Sequence, residues 1–198
     1  MTKSYGKRVV LRTDQDARMS DALIPSRVDS TFRPWARWFF PVMVVVLISD
    51  QLTKWWIFRQ PESSLPHWLA QHSNTGVAWG IGNQMPLVVT LITMVLIPLL
   101  VWVWWKQFRP CGAVENLAFG AVLGGALGNA IDRVATQFGQ LEGVRDFLVV
   151  DLNVIGISYI WPTFNIADAG ISCGVVALAG LSFFKRSVST AQDNRAVI

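Results

Sequence analysis

At 198 residues the chain has room for one domain or one small helical bundle, and 52% of it is hydrophobic while 15% is charged, against about 25% in an ordinary soluble domain. That balance excludes a disordered chain and leaves too few charges to cover a water-soluble globule; two cysteines, 62 positions apart, make no disulfide scaffold. The net charge of +4 does not describe a nucleic-acid-binding face, because eight of the 17 Lys and Arg fall in the first 37 residues and most others flank apolar runs, the distribution that marks membrane topology.

Residues 1–37 are polar and basic (Lys3, Lys7, Arg8, Arg12, Arg18, Arg27, Arg33, Arg37) and show no hydrophobic period. They read as a disordered cytoplasmic tail and lack the apolar core of a secretory signal; contact with anionic lipid heads is the alternative. Four apolar stretches follow. Residues 38–58, 21 in number, reach about 31 Å as a helix, enough to span the hydrocarbon core. Residues 87–105 form the cleanest span and end in the aromatic belt of Trp102, Trp104 and Trp105. Residues 113–131 are rich in small residues (GAVLGGALGNA), as expected where a helix packs closely on its neighbours. Residues 165–184 form the fourth span, closed by Lys185 and Arg186, with a short tail over 187–198.

With four spans, the tail, the 106–112 loop and the C-terminus share one side and carry thirteen of the 17 Lys and Arg, whereas the loops 59–86 and 132–164 carry Arg59, Arg133 and Arg145. The positive-inside rule then puts both termini in the cytoplasm and the long loops outside. Within the second of these loops, DFLVVDLNVIGISYIW over 146–161 has β-branched runs around Gly156 and reads as a hairpin.

Ionisable groups inside spans cost roughly 2.5–3.5 kcal/mol each at the centre and are functional hypotheses by default. Here they cluster at the outward ends. Asp50 and Lys54, four apart, share a helix face and form an ion pair whose bland reading is structural. Asn129, Asp132 and Arg133 close the third span; end-capping and site-building are equally good readings of them. Asn165 and Asp168 open the fourth, where the spacing predicts Asn165 as N-cap with Asp168 at N3, just after Pro162 stops any preceding helix. Asp146 and Asp151 lie in the loop before it. A loop aspartate brought against Asp168 would make a pair that cannot ionise together, one base and one acid around a water. That pair is the minimum equipment for hydrolysing an amide. Competing chemistries are poorly supplied: no HExxH occurs, His67 and His72 stand alone in a loop, no GxSxG elbow exists, and Cys111 and Cys173 lie away from either histidine. No metal and no cofactor are expected.

Five segments, in order between four spans, resemble a known family, the lipoprotein signal peptidases (signal peptidase II): SDQLTKWW at 49–56, NTGVAWG at 74–80, GGALGNAIDR at 124–133, DFL at 146–148 and FNIADAG at 164–170. The resemblance runs from about residue 42 to 184. It implies an all-α membrane fold of four transmembrane helices with a small extracytoplasmic β-cradle, supplied by loops 59–86 and 146–161. It also implies an aspartic endopeptidase of the bacterial inner membrane. Such an enzyme cuts the signal peptide from diacylglyceryl-modified prolipoproteins, just before the lipid-bearing cysteine. Its catalytic dyad would be Asp168, in the FNxAD-like motif, and Asp146, in VRDFL, which keeps the DF pair but not the second valine of the family's VVDF-like pattern; Asp151, in VVDL, is the alternative. Asp50, Lys54, Asn74, Asn129, Asp132, Arg133 and Asn165 match further motif positions and are expected to support the site or position substrate. Prolipoproteins and membrane lipids are the implied partners, with no nucleic acid, and a monomer is the expected state. Departures from the pattern are the long tail, the stretched segment 134–145 and Ala169 in place of a common serine. Two rival functions follow from the same residues: a non-catalytic lipid- or lipoprotein-binding protein on this fold, and a small transporter with a charged relay.

Overall fold

The computed structural model describes residues 34–77 and 81–196. The basic tail up to residue 33 and the last three positions of the 74–80 motif lie outside the described residues. Residues 34–37, read as the end of the tail, instead join Trp38 in a 3-10 turn, Pro34–Trp38. Its Ala36 is buried in a cluster with Phe39, Trp104, Phe119 and Leu123, so apolar burial begins before Arg37.

Four helices follow: α1 (Phe39–Ile57), α2 (Pro86–Val103), α3 (Ala113–Gln137) and α4 (Ile166–Ala196). Each contains a stretch long and apolar enough to cross a membrane. α3 is the centre of the bundle: 67% of its apolar window is buried inside the protein, against 17%, 17% and 11% for the others. Its small residues explain this. A Cβ on Gly120 or Gly124 would meet the Phe39 or Met43 carbonyl of α1 at 2.5 Å, and one on Gly125 would collide with the Ala167 carbonyl of α4. In hydrocarbon, where apolar burial gives no advantage over lipid contact, such close backbone approach supplies the packing energy.

Helix ends depart from the sequence reading where tertiary partners take up polar groups. α3 runs to Gln137, not 131, because Asp132 is fully buried and ion-paired rather than leaving the bundle. α4 continues through Ala196, with no Gly or Pro after Gly180 to stop it. α2 passes into a wide turn at Trp104–Phe108, which the buried Asn116 ties to the start of α3: its amide donates to Phe108 O at 3.2 Å and Gly112 O at 2.9 Å, and its Oδ1 accepts from the Trp104 indole at 2.9 Å.

At the other end of the bundle sits an antiparallel sheet ordered β1-β2-β3, made of β1 (Leu69–Asn74), β2 (Val144–Asp151) and β3 (Ile160–Phe164). The hairpin expected around Gly156 is β2–β3, its turn a 3-10 segment at Leu152–Ile155 closed by Gly156 at φ +84°, a left-handed position suited to glycine. Phe147 of β2 packs with Ile57 of α1 and Leu69 of β1. Only Asn165 separates β3 from α4, so the sheet is tied directly to the start of that helix.

Candidate active site

The polar residues singled out in the sequence converge where β2 meets the ends of α1 and α3 and the start of α4. The start of α4 is a reciprocal capping box, as the local spacing predicts: the Asp168 N–H donates to Asn165 Oδ1 at 2.9 Å and the Asn165 N–H to Asp168 Oδ2 at 3.1 Å. Asp50, fully buried, accepts the Ala167 N–H at 3.0 Å and so satisfies a second free donor of that helix end.

Beneath this cap lies a buried ionic core. Lys54 Nζ stands 2.8 Å from Asp50 Oδ2 and 3.3 Å from Asp132 Oδ2, all three side chains 0% exposed. Asp132 also receives Arg145, with Nη2 at 2.7 Å from Oδ1 and Nε at 3.2 Å from Oδ2, while the Arg145 backbone N–H donates to the same Oδ2 at 3.0 Å. Gln51 threads between them: its amide donates to Gly128 O at 3.0 Å and its Oε1 accepts from Arg145 at 3.1 Å. Two carboxylates face two cations, so the core is neutral, as burial of charge demands.

Three asparagines connect this core to two carboxyls. Each has its carbonyl oxygen held by a group that can only donate, which fixes which way the amide faces. Asn129 Oδ1 accepts from Lys54 at 3.0 Å, so its NH2 turns to Asp168 Oδ1 at 2.8 Å. Asn165 Oδ1 accepts the Asp168 N–H, so its NH2 turns to Asp146 Oδ1 at 2.6 Å. Asn74 Oδ1 accepts the Gly76 N–H at 3.0 Å, so its NH2 turns to Asp146 Oδ2 at 3.2 Å. Asp146 and Asp168 are thus joined through one residue, Asn165. They differ in surroundings: Asp146 is 2% exposed, whereas Asp168 is half-buried. Burial, and after it the charge of Asp168, pushes the Asp146 carboxyl up to about 7, against the downward pull of the two amide donors and of Lys54. Arg133 reaches over the pair: its Nη2 donates to Gly76 O at 3.1 Å, its charge acts on both Asp168 and Asp146, and its Nε is buried with no partner among the described residues.

Of the residues expected at the site, Asp50, Lys54, Asn74, Asn129, Asp132, Arg133, Asp146, Asn165 and Asp168 are all brought into this network. Asp151, the alternative to Asp146, lies at the far end of β2, where its Oδ1 accepts from the Asn153 N–H at 2.8 Å and caps the turn. His72 lies on β1 rather than in a loop, in register with Asp146 but with its side chain exposed. Sequence reasoning missed Arg145 and Gln51. The only signal for either was adjacency, Arg145 beside Asp146 and Gln51 beside Asp50.

Fold and site together define a polytopic membrane protein with a carboxylate-and-amide centre at one end of its helical bundle. The signal peptidase (SPase) II family model matches residues 42–184. The lipoprotein signal peptidase of Bacillus subtilis (strain 168) is 33% identical over 148 residues, covering 71% of this chain and 89% of the relative. That of Bacillus velezensis is 33% identical over 148 residues, covering 71% and 90%. A bacterial membrane enzyme solved by the in meso method at 2.3 Å resolution aligns with a TM-score of 0.60 at 30% identity, over 75% of this chain and 88% of its own. Another, solved at 1.9 Å, aligns with a TM-score of 0.54 at 33% identity, over 71% and 89%. The chain belongs to the signal peptidase II family and is accordingly a multi-pass bacterial membrane protease.

Proposed function

We propose that this protease is an aspartic endopeptidase that removes signal peptides from diacylglyceryl-modified prolipoproteins, cutting before the lipid-bearing cysteine, with Asp146 and Asp168 as its dyad. The observation that carries the reading is the bridging of the two carboxyls by Asn165, through its backbone N–H to Asp168 and its side-chain amide to Asp146. Asp168 accepts at both oxygens, from Asn129 Nδ2 and from the Asn165 N–H, so the bonds at this carboxyl come from the same asparagines that frame Asp146. Asp146, at about 7, holds its proton in mildly acidic conditions and is divided between its two forms near neutrality.

The division of labour follows. Asp168 takes a proton from a water as its oxygen attacks the scissile carbonyl carbon. Asp146 gives its proton to the carbonyl oxygen as that oxygen gains negative charge. When the C–N bond breaks, Asp168 returns its proton to the leaving nitrogen and Asp146 recovers one from the diol, so one water is consumed and both groups reset. Arg133 and the Asn74–Gly76 segment border the pair and would hold the cleavage-site peptide, while Asp50, Lys54, Asn129 and Asp132 fix the frame. The charge asymmetry of the loops supports a dyad near the outer membrane face with both termini cytoplasmic, where the substrate's lipid tails lie in the outer leaflet. The transporter alternative needs polar groups through the membrane depth, but α3 buries only apolar and small residues between Asn116 and Asn129.

The test is cleavage of a lipid-modified precursor by Asp146→Asn and Asp168→Asn enzymes. Loss of about 10²–10⁴-fold in kcat is expected for each. Normal cleavage by either variant would refute the dyad, and intact activity of both in cells would favour the non-catalytic alternative.

A further inference from the structure

We propose that Arg145 is a positioning residue of this protease: its grip on Asp132 sets the pleat phase of β2 and so delivers the neighbouring Asp146 to Asn165. The inference rests on the reading of Asp146 as one member of the dyad. Along a strand, consecutive side chains point to opposite faces, so fixing one residue's direction fixes the next. Arg145 is fastened twice to one carboxylate. Its backbone N–H lies 3.0 Å from Asp132 Oδ2, and its guanidinium forks across both oxygens, Nη2 to Oδ1 at 2.7 Å and Nε to Oδ2 at 3.2 Å. The same Nη2 reaches Gln51 Oε1 of α1 at 3.1 Å.

The anchor is rigid, because Asp132 is fully buried and also held by Lys54 at 3.3 Å. Main chain and side chain of one residue are thus locked to α1 and α3, and Asp146, one position on, is turned toward β1 and the start of α4. The Arg145 carbonyl lies 3.3 Å from the amide of Asn165, the group that also reaches Asp146. A one-residue slip of β2 would exchange these directions and put the guanidinium where the acid must be. A planar fork suits this task and a lysine does not, since an ammonium is a point charge that cannot span both oxygens.

The experiment compares Arg145→Val, Arg145→Lys and the double variant Arg145→Val with Asp132→Asn, as full chains in detergent, for kcat and KM on a lipid-modified precursor and for Tm. In Arg145→Val, kcat is expected to fall by about 10- to 100-fold, the scale of a misplaced catalytic group, with KM within about twofold of wild type because the group does not touch substrate. Arg145→Lys recovers part of the loss. The double variant carries no unpaired buried charge, so its Tm returns toward wild type while kcat stays at the Arg145→Val level. Wild-type kcat in Arg145→Val, or recovery of kcat together with Tm in the double variant, overturns the proposal and leaves Arg145 a charge balance only. Normal cleavage by Asp146→Asn, which keeps Arg145, would instead strike the dyad reading and is scored separately.

Discussion

Replacing Asp146 by asparagine removes the protease's proposed acid and is expected to make the protein more stable at neutral pH. The magnitude follows from linkage. The carboxyl stands at about 7 in the folded protein against an ordinary value of 3.8, a difference of about 3 pH units, which at 1.36 kcal/mol per unit is about 4 kcal/mol. The sign follows from proton counts. Between about pH 4 and 7 the native state holds a proton that the unfolded chain has released, so stability falls with rising pH through that window and levels off above it. The asparagine has no such dependence. It keeps one acceptor where the acid had two, which offsets about 1–3 kcal/mol in a buried site. A net gain of about 2 kcal/mol above pH 7 is left, or roughly 4–8 °C in Tm for a chain of this length. Thermal unfolding of the two proteins in detergent, followed by tryptophan fluorescence from pH 4 to 9, measures it. Titrating groups remote from Asp146 act alike in both, so the difference between the curves reports Asp146 together with its coupling to Asp168. That difference should open between pH 4 and 7 and stay constant beyond. Parallel curves across the whole range would refute both the raised acid and its assignment as the proton donor.

The remaining predictions concern neighbouring parts of the fold. Asp151→Asn should leave kcat and KM unchanged and alter Tm little, since asparagine caps the turn as well as aspartate does; a large loss of kcat would move the dyad to the other end of β2. Gly128→Ala should destabilise by about 1–3 kcal/mol, read as a lowered Tm, because the new Cβ would lie 2.5 Å from Asp50 Oδ2, the oxygen that pairs with Lys54 Nζ at 2.8 Å, and would force that ion pair to shift. Asn116→Leu should lower Tm by stranding the buried Trp104 indole N–H, at about 1–3 kcal/mol. Because Asn116 sits at the opposite end of α3 from the proposed dyad, kcat at permissive temperature should stay near wild type.

What could be read from the chain alone was local or compositional. Apolar runs of span length fixed the number of helices, and the uneven Lys and Arg suggested their orientation, because the membrane imposes one-dimensional rules on a sequence. The capping box at Asn165 and Asp168 and the ion pair of Asp50 with Lys54 were legible because their partners are three and four residues apart. Choosing between Asp146 and Asp151 was beyond any such rule: both lie in β-branched surroundings, and the register of β2, which sets Asp146 opposite His72 and carries Asp151 to the far end, decides which carboxyl faces Asn165. Arg145 with Asp132, Asn165 with Asp146 and Lys54 with Asn129 join positions 13, 19 and 75 apart. No periodicity encodes those separations. Only tertiary packing brings the groups together, and only there do charges scattered along the chain form a neutral core and does desolvation lift one aspartate to about 7.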